Sequence, residues 1–332
     1  MSPVEVTVTV HSPAATGSGT PSPGAPSGPS RPRRWDRRRL TPYGLIAPAA
    51  AVLVVMLGYP LVRLVVLSTQ HFGLPQQFGQ PAPFVGLDNY RRVLGDDQFW
   101  TVLLRTVAFC AVDVALTMTL GMLVALLLNT LGAVMRGVVG SALLLAWAMP
   151  PLAATIVWQW LFDTQYGLVN WLVTRSGLAD YRNHSWLSQP LSFFAVAAVV
   201  VVWMGVPFVA LTLYAGLTQL PQDVVEAAQL DGAGAWQRFR HVTVPFLAPV
   251  VAILTALSTL WDFRVFTQVY VLQAAGGITR DTNVLGVYAY RISIGENRFD
   301  VGAAVAVVMV VLAMLLTAVY LRQMLRREEE EL

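Results

Sequence analysis

The sequence contains no lysine; all 22 basic residues are arginine, against 19 acidic ones. A Walker A phosphate loop reaches the nucleotide phosphates through its lysine, so the usual ATP-binding site is excluded. Charge of either sign is scarce. Charged residues make up 12% of the chain, whereas a soluble domain carries about a quarter. The lone cysteine, Cys110, allows neither an internal disulfide nor a thiolate zinc cluster. The four histidines, His11, His71, His184 and His241, fall in the N-terminal tail or in separate loops, without HExxH-type or catalytic spacing. Nothing here converges as a nucleophile, base and orienting group would. The formal charge of +3 is too small to mark a nucleic-acid surface.

What fills the chain instead is apolar: 55% of its residues are hydrophobic and the mean hydropathy is +0.58. A helix crosses the hydrocarbon core with about 20 apolar residues. Six segments qualify, near Tyr43–Leu67, Val102–Leu128, Gly137–Leu161, Leu191–Leu217, Phe246–Leu272 and Val301–Leu321. The fold expected is an all-α integral membrane protein of about six transmembrane helices over residues 41–325. Pro150, Pro151 and Pro207 predict kinks in the third and fourth spans. Gly58 and Gly121 suit close helix packing.

Residues 1–30 are rich in Ser, Pro, Gly, Ala and Thr, and Arg31, Arg33, Arg34, Arg37, Arg38 and Arg39 follow. Residues 1–40 therefore read as a disordered cytoplasmic tail ending in a basic cluster, with no secretory-signal pattern ahead of it. Residues 326–332 read as a charged cytoplasmic tail. The arginine cluster beside the first span predicts that both termini face the cytoplasm. Arg136, Arg238, Arg240, Arg322, Arg326 and Arg327 then also lie inside, and Arg91, Arg92, Arg175, Arg182, Arg280, Arg291 and Arg298 outside.

Between the fourth and fifth spans lies a polar segment of about 220–245. Pro221, Gln222 and Asp223 suit a helix start. Gly232 and Gly234 can stop a helix by turning left-handed. A second short helix over Ala235–Val242 puts Trp236 and Phe239 on one face. Pro245 then opens the next span. Such a helix–turn–helix fits either pushing on a soluble partner or lying on the bilayer surface.

The segment resembles the EAA loop of ABC-importer permeases: Glu226, Ala227, Ala228, Gly232, Val242, Val244 and Pro245 stand at the family's spacings. Valines replace its usual isoleucine and leucine. Phe84-Val-Gly-Leu-Asp-Asn-Tyr90, Gly167-Leu-Val-Asn170, Trp261-Asp-Phe-Arg-Val-Phe266 and Gly302-Ala-Ala304 resemble stretches of the maltose-transporter type of sugar permease. One departure stands out: Gln273-Ala-Ala-Gly-Gly277-Ile lacks the proline of the family's Thr-x-Gly-Gly-Pro turn.

The resemblance implies a type I ABC-importer permease subunit that is not itself an enzyme. It implies a second permease subunit that is a different chain, and so a heterodimer, two ATPase subunits that bind ATP and Mg, and an extracytoplasmic solute-binding protein. This chain would carry no cofactor and bind no nucleic acid. Its cargo would be a sugar delivered by the binding protein. Glu226, Ala227, Ala228, Asp231, Gly232, Trp236 and Pro245 would couple it to the ATPase.

Sugars are held by aromatic faces and convergent polar groups, which nominates Trp158, Trp203, Trp261, Asp262, Arg264, Gln268 and Tyr270 for the substrate pathway. Trp158 equally suits an interfacial aromatic belt, and Asp262 and Arg264 equally suit a contact between subunits. Asp113 lies within the second span, with Arg105 as a partner two turns away. The alternatives are an ABC permease for a non-sugar solute and an ion-coupled secondary transporter, which would need internal repeats that the chain lacks.

Overall fold

The computed structural model describes residues 37–177 and 179–330. Most of the tail expected over 1–40 lies outside them, and the backbone is already helical from Arg37. The chain divides after Val55 into two units. The first contributes only the beginning of helix α1 to the described residues, and the second holds everything from Met56 onward.

In chain order the helices are α1 (Arg37–Ser68), α2 (Leu74–Gln77), α3 (Asp88–Leu94), α4 (Asp97–Thr130), α5 (Ala133–Trp147), α6 (Pro151–Leu161), α7 (Leu168–Arg175) and α8 (Pro190–Leu217). Then come α9 (Gln222–Leu230), α10 (Ala235–Arg238), α11 (Val244–Phe263), α12 (Thr267–Ala274), α13 (Thr279–Thr282), α14 (Leu285–Tyr290) and α15 (Phe299–Glu330). The described residues hold no strand, only two isolated bridges. The helix of α15 continues to Glu330, through most of the segment expected as a charged tail.

Five stretches are long and apolar enough to cross a membrane: Ile46–Ser68, Asp97–Thr130, Pro190–Leu217, Ala235–Ala274 and Phe299–Met324. The pair α5 and α6 makes a sixth, bent by 100°. That bend falls at Pro150 and Pro151. A proline removes an amide donor, and it disfavours helical backbone in the residue before it. Two in succession turn the expected kink into a break. Pro207 has a milder effect, and α8 stays one continuous helix through it. The fifth span is interrupted at Arg264–Phe266, within the segment expected as one span.

The interior forms where α4 and α8 meet. Hydrophobic packing in lipid supplies little drive between helices, so close approach of small residues matters. A Cβ added at Gly121 would stand 2.5 Å from Val209, and one at Gly216 would stand 2.8 Å from Leu247. Leu213, Leu247 and Leu254 fill one end of this seam, and Phe193, Val196, Val269 and Leu272 the other.

The Phe84–Tyr90 stretch closes the end of α1. Gly86 turns left-handed at φ +61. Asn89 is fully buried and donates to the carbonyls of Ser68 (3.0 Å) and Gln70 (2.8 Å), while the Tyr90 hydroxyl meets Ser68 Oγ at 2.6 Å. These bonds satisfy acceptors that a helix end otherwise leaves open. Across the same junction, buried Asp300 accepts from Phe72 N–H (3.3 Å) and faces His71 Nδ1 at 3.1 Å.

Candidate functional site

The segment between α8 and α11 begins with Pro221 as the cap of α9, and Asp223 lies in the first turn. The helix ends in a Schellman arrangement: Ala233 N–H bonds Ala228 O (2.9 Å) and Gly232 N–H bonds Gln229 O (3.0 Å). Gly232 supplies the left-handed residue at φ +80. Gly234 does not share that conformation; it caps α10 at φ −66. Two side chains lock the turn. Arg238 donates to Ala233 O (2.7 Å), and Gln237 Oε1 accepts from Gly234 N–H (2.8 Å).

The second helix differs from the expected separate piece over Ala235–Val242. After α10 the chain winds through a π turn, Phe239–Thr243, directly into α11. Pro245 explains the widening. Its ring would collide with the carbonyl four residues back and it has no N–H to donate, so the preceding turn opens to the wider spacing. The Val244 N–H accordingly bonds Phe239 O. The loop thereby runs into the fifth span as one continuous helical path.

The loop's outward surface is apolar at its centre. Leu230 is 90% exposed and Trp236 68%, with Val224 also exposed. The Trp236 and Phe239 rings pack 5.4 Å apart. Glu226 and Asp231 are exposed beside them, and neither forms an ion pair among the described residues. Exposed apolar side chains rimmed by charge mark a contact surface.

The residues nominated for the pathway separate into groups. Trp158 on α6 and Trp203 on α8 meet edge to face, 5.9 Å apart. They line a cavity of about 900 Å³ whose remaining walls are chiefly aliphatic, with Arg105 at its edge. Gln268 on α12 donates to Met204 Sδ at 3.6 Å, beside Trp203 on α8 but outside the lining of that cavity. Tyr270 stacks on Phe266 (5.3 Å) and meets Tyr290 (5.4 Å), with the Arg291 guanidinium 5.7 Å from its ring. Trp261 belongs to a third group with Phe208 and Trp147. Asp262 is half-buried near the end of α11. Arg264 is exposed at the break and donates to Leu260 O (3.1 Å). The two do not pair with each other.

Arg105 does not pair with Asp113. Its guanidinium donates to the carbonyls of Arg280 and Asn283, both at 3.3 Å, because those ends of the chain lie against the start of α4. Asp113 is wholly buried, and neither carboxylate oxygen has a hydrogen-bond partner among the described residues.

Two polar hubs stand in stretches that the sequence marked without showing their partners. Gln273 is buried and donates to Thr282 Oγ1 and Asn283 Oδ1, both at 3.1 Å, while its carbonyl accepts from Arg291 Nη2 (2.9 Å) and Nε (3.2 Å). It stands where the family's proline turn is altered. Gly277 beside it packs so closely that a Cβ would lie 2.7 Å from Phe193. The second hub is Asn170. Its amide donates to Thr164 O (3.1 Å) and His184 O (2.9 Å), and its oxygen accepts from Trp186 Nε1 (2.6 Å). Just before it, Asp163 accepts from the backbone N–H groups of Tyr166 and Gln165, both at 2.8 Å. Those bonds, Tyr166 first, hold its carboxyl below the usual aspartate range. The motif Gly167–Asn170 is thus a fastened turn at the end of α8 opposite the α9–α10 loop.

Comparison with known proteins covers most of the chain. Residues 117–328 match the family model described as binding-protein-dependent transport system inner membrane component. The diacetylchitobiose uptake system permease protein DasB of Streptomyces coelicolor is 45% identical over 321 residues, covering 92% of this chain and 98% of that protein. The trehalose/maltose transport system permease protein MalF of Thermococcus litoralis is 35% identical, covering 84% and 92%. Among solved structures, a bacterial ABC transporter involved in the import of the acidic polysaccharide alginate has a chain of the same fold. Its TM-score is 0.74 at 20% identity, over 87% of this chain and 96% of that one.

Proposed function

The chain belongs to the family of binding-protein-dependent transport inner membrane components, and from that premise we propose that it is the permease subunit of an ATP-driven sugar importer in the cell membrane. The observation that carries this reading is the α9–α10 loop. It is a rigid helix–turn–helix between two spans, with exposed apolar side chains at its centre and a continuous helical link into the fifth span. Glu226, Ala227, Ala228, Asp231, Gly232 and Trp236 form the surface that meets a separate ATPase subunit, and Pro245 shapes the π turn behind it. ATP and Mg bind on that ATPase. Both termini and the coupling loop face the cytoplasm, a reading that the arginine distribution supports.

A second permease subunit, a different chain, completes the pathway, and an extracytoplasmic binding protein delivers the cargo. The substrate is a di- or oligosaccharide, in keeping with relatives named for diacetylchitobiose and for trehalose and maltose. Trp158, Trp203 and Gln268 form the side of the pathway nearest α8, and Tyr270, Trp261, Asp262 and Arg264 flank it. Closure of the ATPase pair favours one state of the whole assembly over the other, and transport follows from that difference.

The test is uptake of labelled diacetylchitobiose, maltose and trehalose by cells with the gene deleted and restored. Loss of uptake of at least one of the three on deletion, with recovery on complementation, is expected. Unchanged uptake of all three would refute the sugar assignment.

A further inference from the structure

The fastened turn at Asn170 frames a second cavity, of about 780 Å³, apart from the one at Trp158 and Trp203. It lies at the end of α8 opposite the coupling loop. Three aromatic side chains stand around it with their rings accessible: Trp160 (60% exposed), Tyr166 (80%) and Trp171 (54%). Gln165, Arg175 and Arg182 add polar groups that reach into the same space. No aspartate or glutamate is among the described residues that line it. The cavity therefore presents flat apolar faces next to hydrogen-bond donors; Arg182 also meets Asp180 at 3.4 Å in an exposed pair outside the lining, and Arg175 has no ion pair among the described residues.

The frame is held before any ligand arrives. Asn170 ties α7 to the strands of chain on both sides, and Thr174 Oγ1 accepts from Tyr181 N–H (3.0 Å). The Arg175 guanidinium lies 5.3 Å from the Trp171 ring, which fixes that ring by a cation–π contact. A saccharide unit has the complementary chemistry. The C–H faces of a pyranose stack on aromatic rings, and its hydroxyl and substituent oxygens accept from amides and guanidinium groups. The cavity is within the size range of small-molecule sites.

We propose that this cavity is a saccharide-binding subsite on the extracytoplasmic face, separate from the translocation pathway and engaging the cargo next to where it is handed over. The assignment rests on the importer reading and its orientation. Tyr166 and Trp171 supply the stacking faces, and Arg175 and Arg182 the donors.

The test uses the assembled importer in nanodiscs without its binding protein, and as probe whichever of diacetylchitobiose, maltose and trehalose the cells import. Saturation-transfer NMR should detect binding of that disaccharide. Trp171→Ala and Tyr166→Ala should each weaken it about tenfold, from the loss of an aromatic face. Both side chains project outward, and a thermal melt matching the parent checks that the turn is intact. Val311→Ala, on the exposed face of α15, should leave this signal in place. Two results would overturn the subsite while sparing the importer: an imported disaccharide that gives no signal, or one whose signal the two variants do not change. Weakened docking of the binding protein by Trp171→Ala, without saccharide binding, would make this face a protein contact instead. If none of the three sugars is imported, the sugar reading fails and the subsite with it.

Discussion

Replacing Gly232 tests the coupling loop with the fewest side effects. A Cβ at this position meets nothing within 4 Å, so no clash confuses the outcome. The cost comes from the backbone alone. At φ +80 an L-residue is strained by roughly 1–2 kcal/mol, and a β-branched side chain by more. If the turn relaxes to avoid that strain, the bonds from Ala233 to Ala228 and from Gly232 to Gln229 are lost, and α9 and α10 reorient. A shift of that size lowers the share of loops in the docking conformation by about 5- to 30-fold. Import should fall in the order Gly232→Asn, Gly232→Ala, Gly232→Val, because asparagine tolerates left-handed backbone best. Membrane insertion should be unchanged, since no transmembrane contact is touched. Uptake of labelled sugar is the assay, normalised to the amount of inserted chain. Normal uptake by Gly232→Val at normal abundance would refute the role of the turn.

Other expectations bear on the hubs. Asn170→Ala leaves the carbonyls of Thr164 and His184 and the Trp186 N–H unpaired, at about 1–3 kcal/mol for a buried group left open; the melting midpoint of the purified protein should drop. Gln273→Leu removes the acceptor of Arg291 and should lower that midpoint further than Arg264→Gln, whose guanidinium is exposed. The Asp163 carboxyl is held below its unfolded value, so its contribution is present above the usual aspartate range and is lost as pH falls through the folded value. The protection of the Tyr166 amide, relative to its intrinsic exchange rate at each pH, should therefore fall in acid, and Asp163→Asn should abolish that fall.

The spans were legible in sequence because lipid demands about 20 apolar residues in a row, and that signal is additive along the chain. The helix–turn–helix of α9 and α10 was legible because glycine, proline and acid mark its turns locally. What escaped depended on tertiary neighbours. The break at Arg264–Phe266 has no proline or glycine to mark it, and it is set by neighbours, with Val265 buried and Phe266 stacked on Tyr270. Arg105 reaches carbonyls that are more than 170 residues away in sequence rather than Asp113, which shares its helix. Gln273 had no signal of its own; only the altered turn next to it pointed to that region. The π turn before Pro245 was hidden because a proline at the start of a span usually costs nothing, and here the helix had begun ten residues earlier.

The central claim is that the α9–α10 loop meets an ATPase subunit, and crosslinking tests it most directly. A photoreactive residue at Trp236 or Leu230, both exposed, is introduced into the tagged chain in its native membranes, and the products are identified after purification in mild detergent. The account predicts an adduct with an ATPase subunit at these two positions and none from a probe at Val311, on the exposed face of α15 within the membrane. An inserted, intact chain that crosslinks only to lipid at Trp236 and Leu230, with no ATPase recovered, would contradict it.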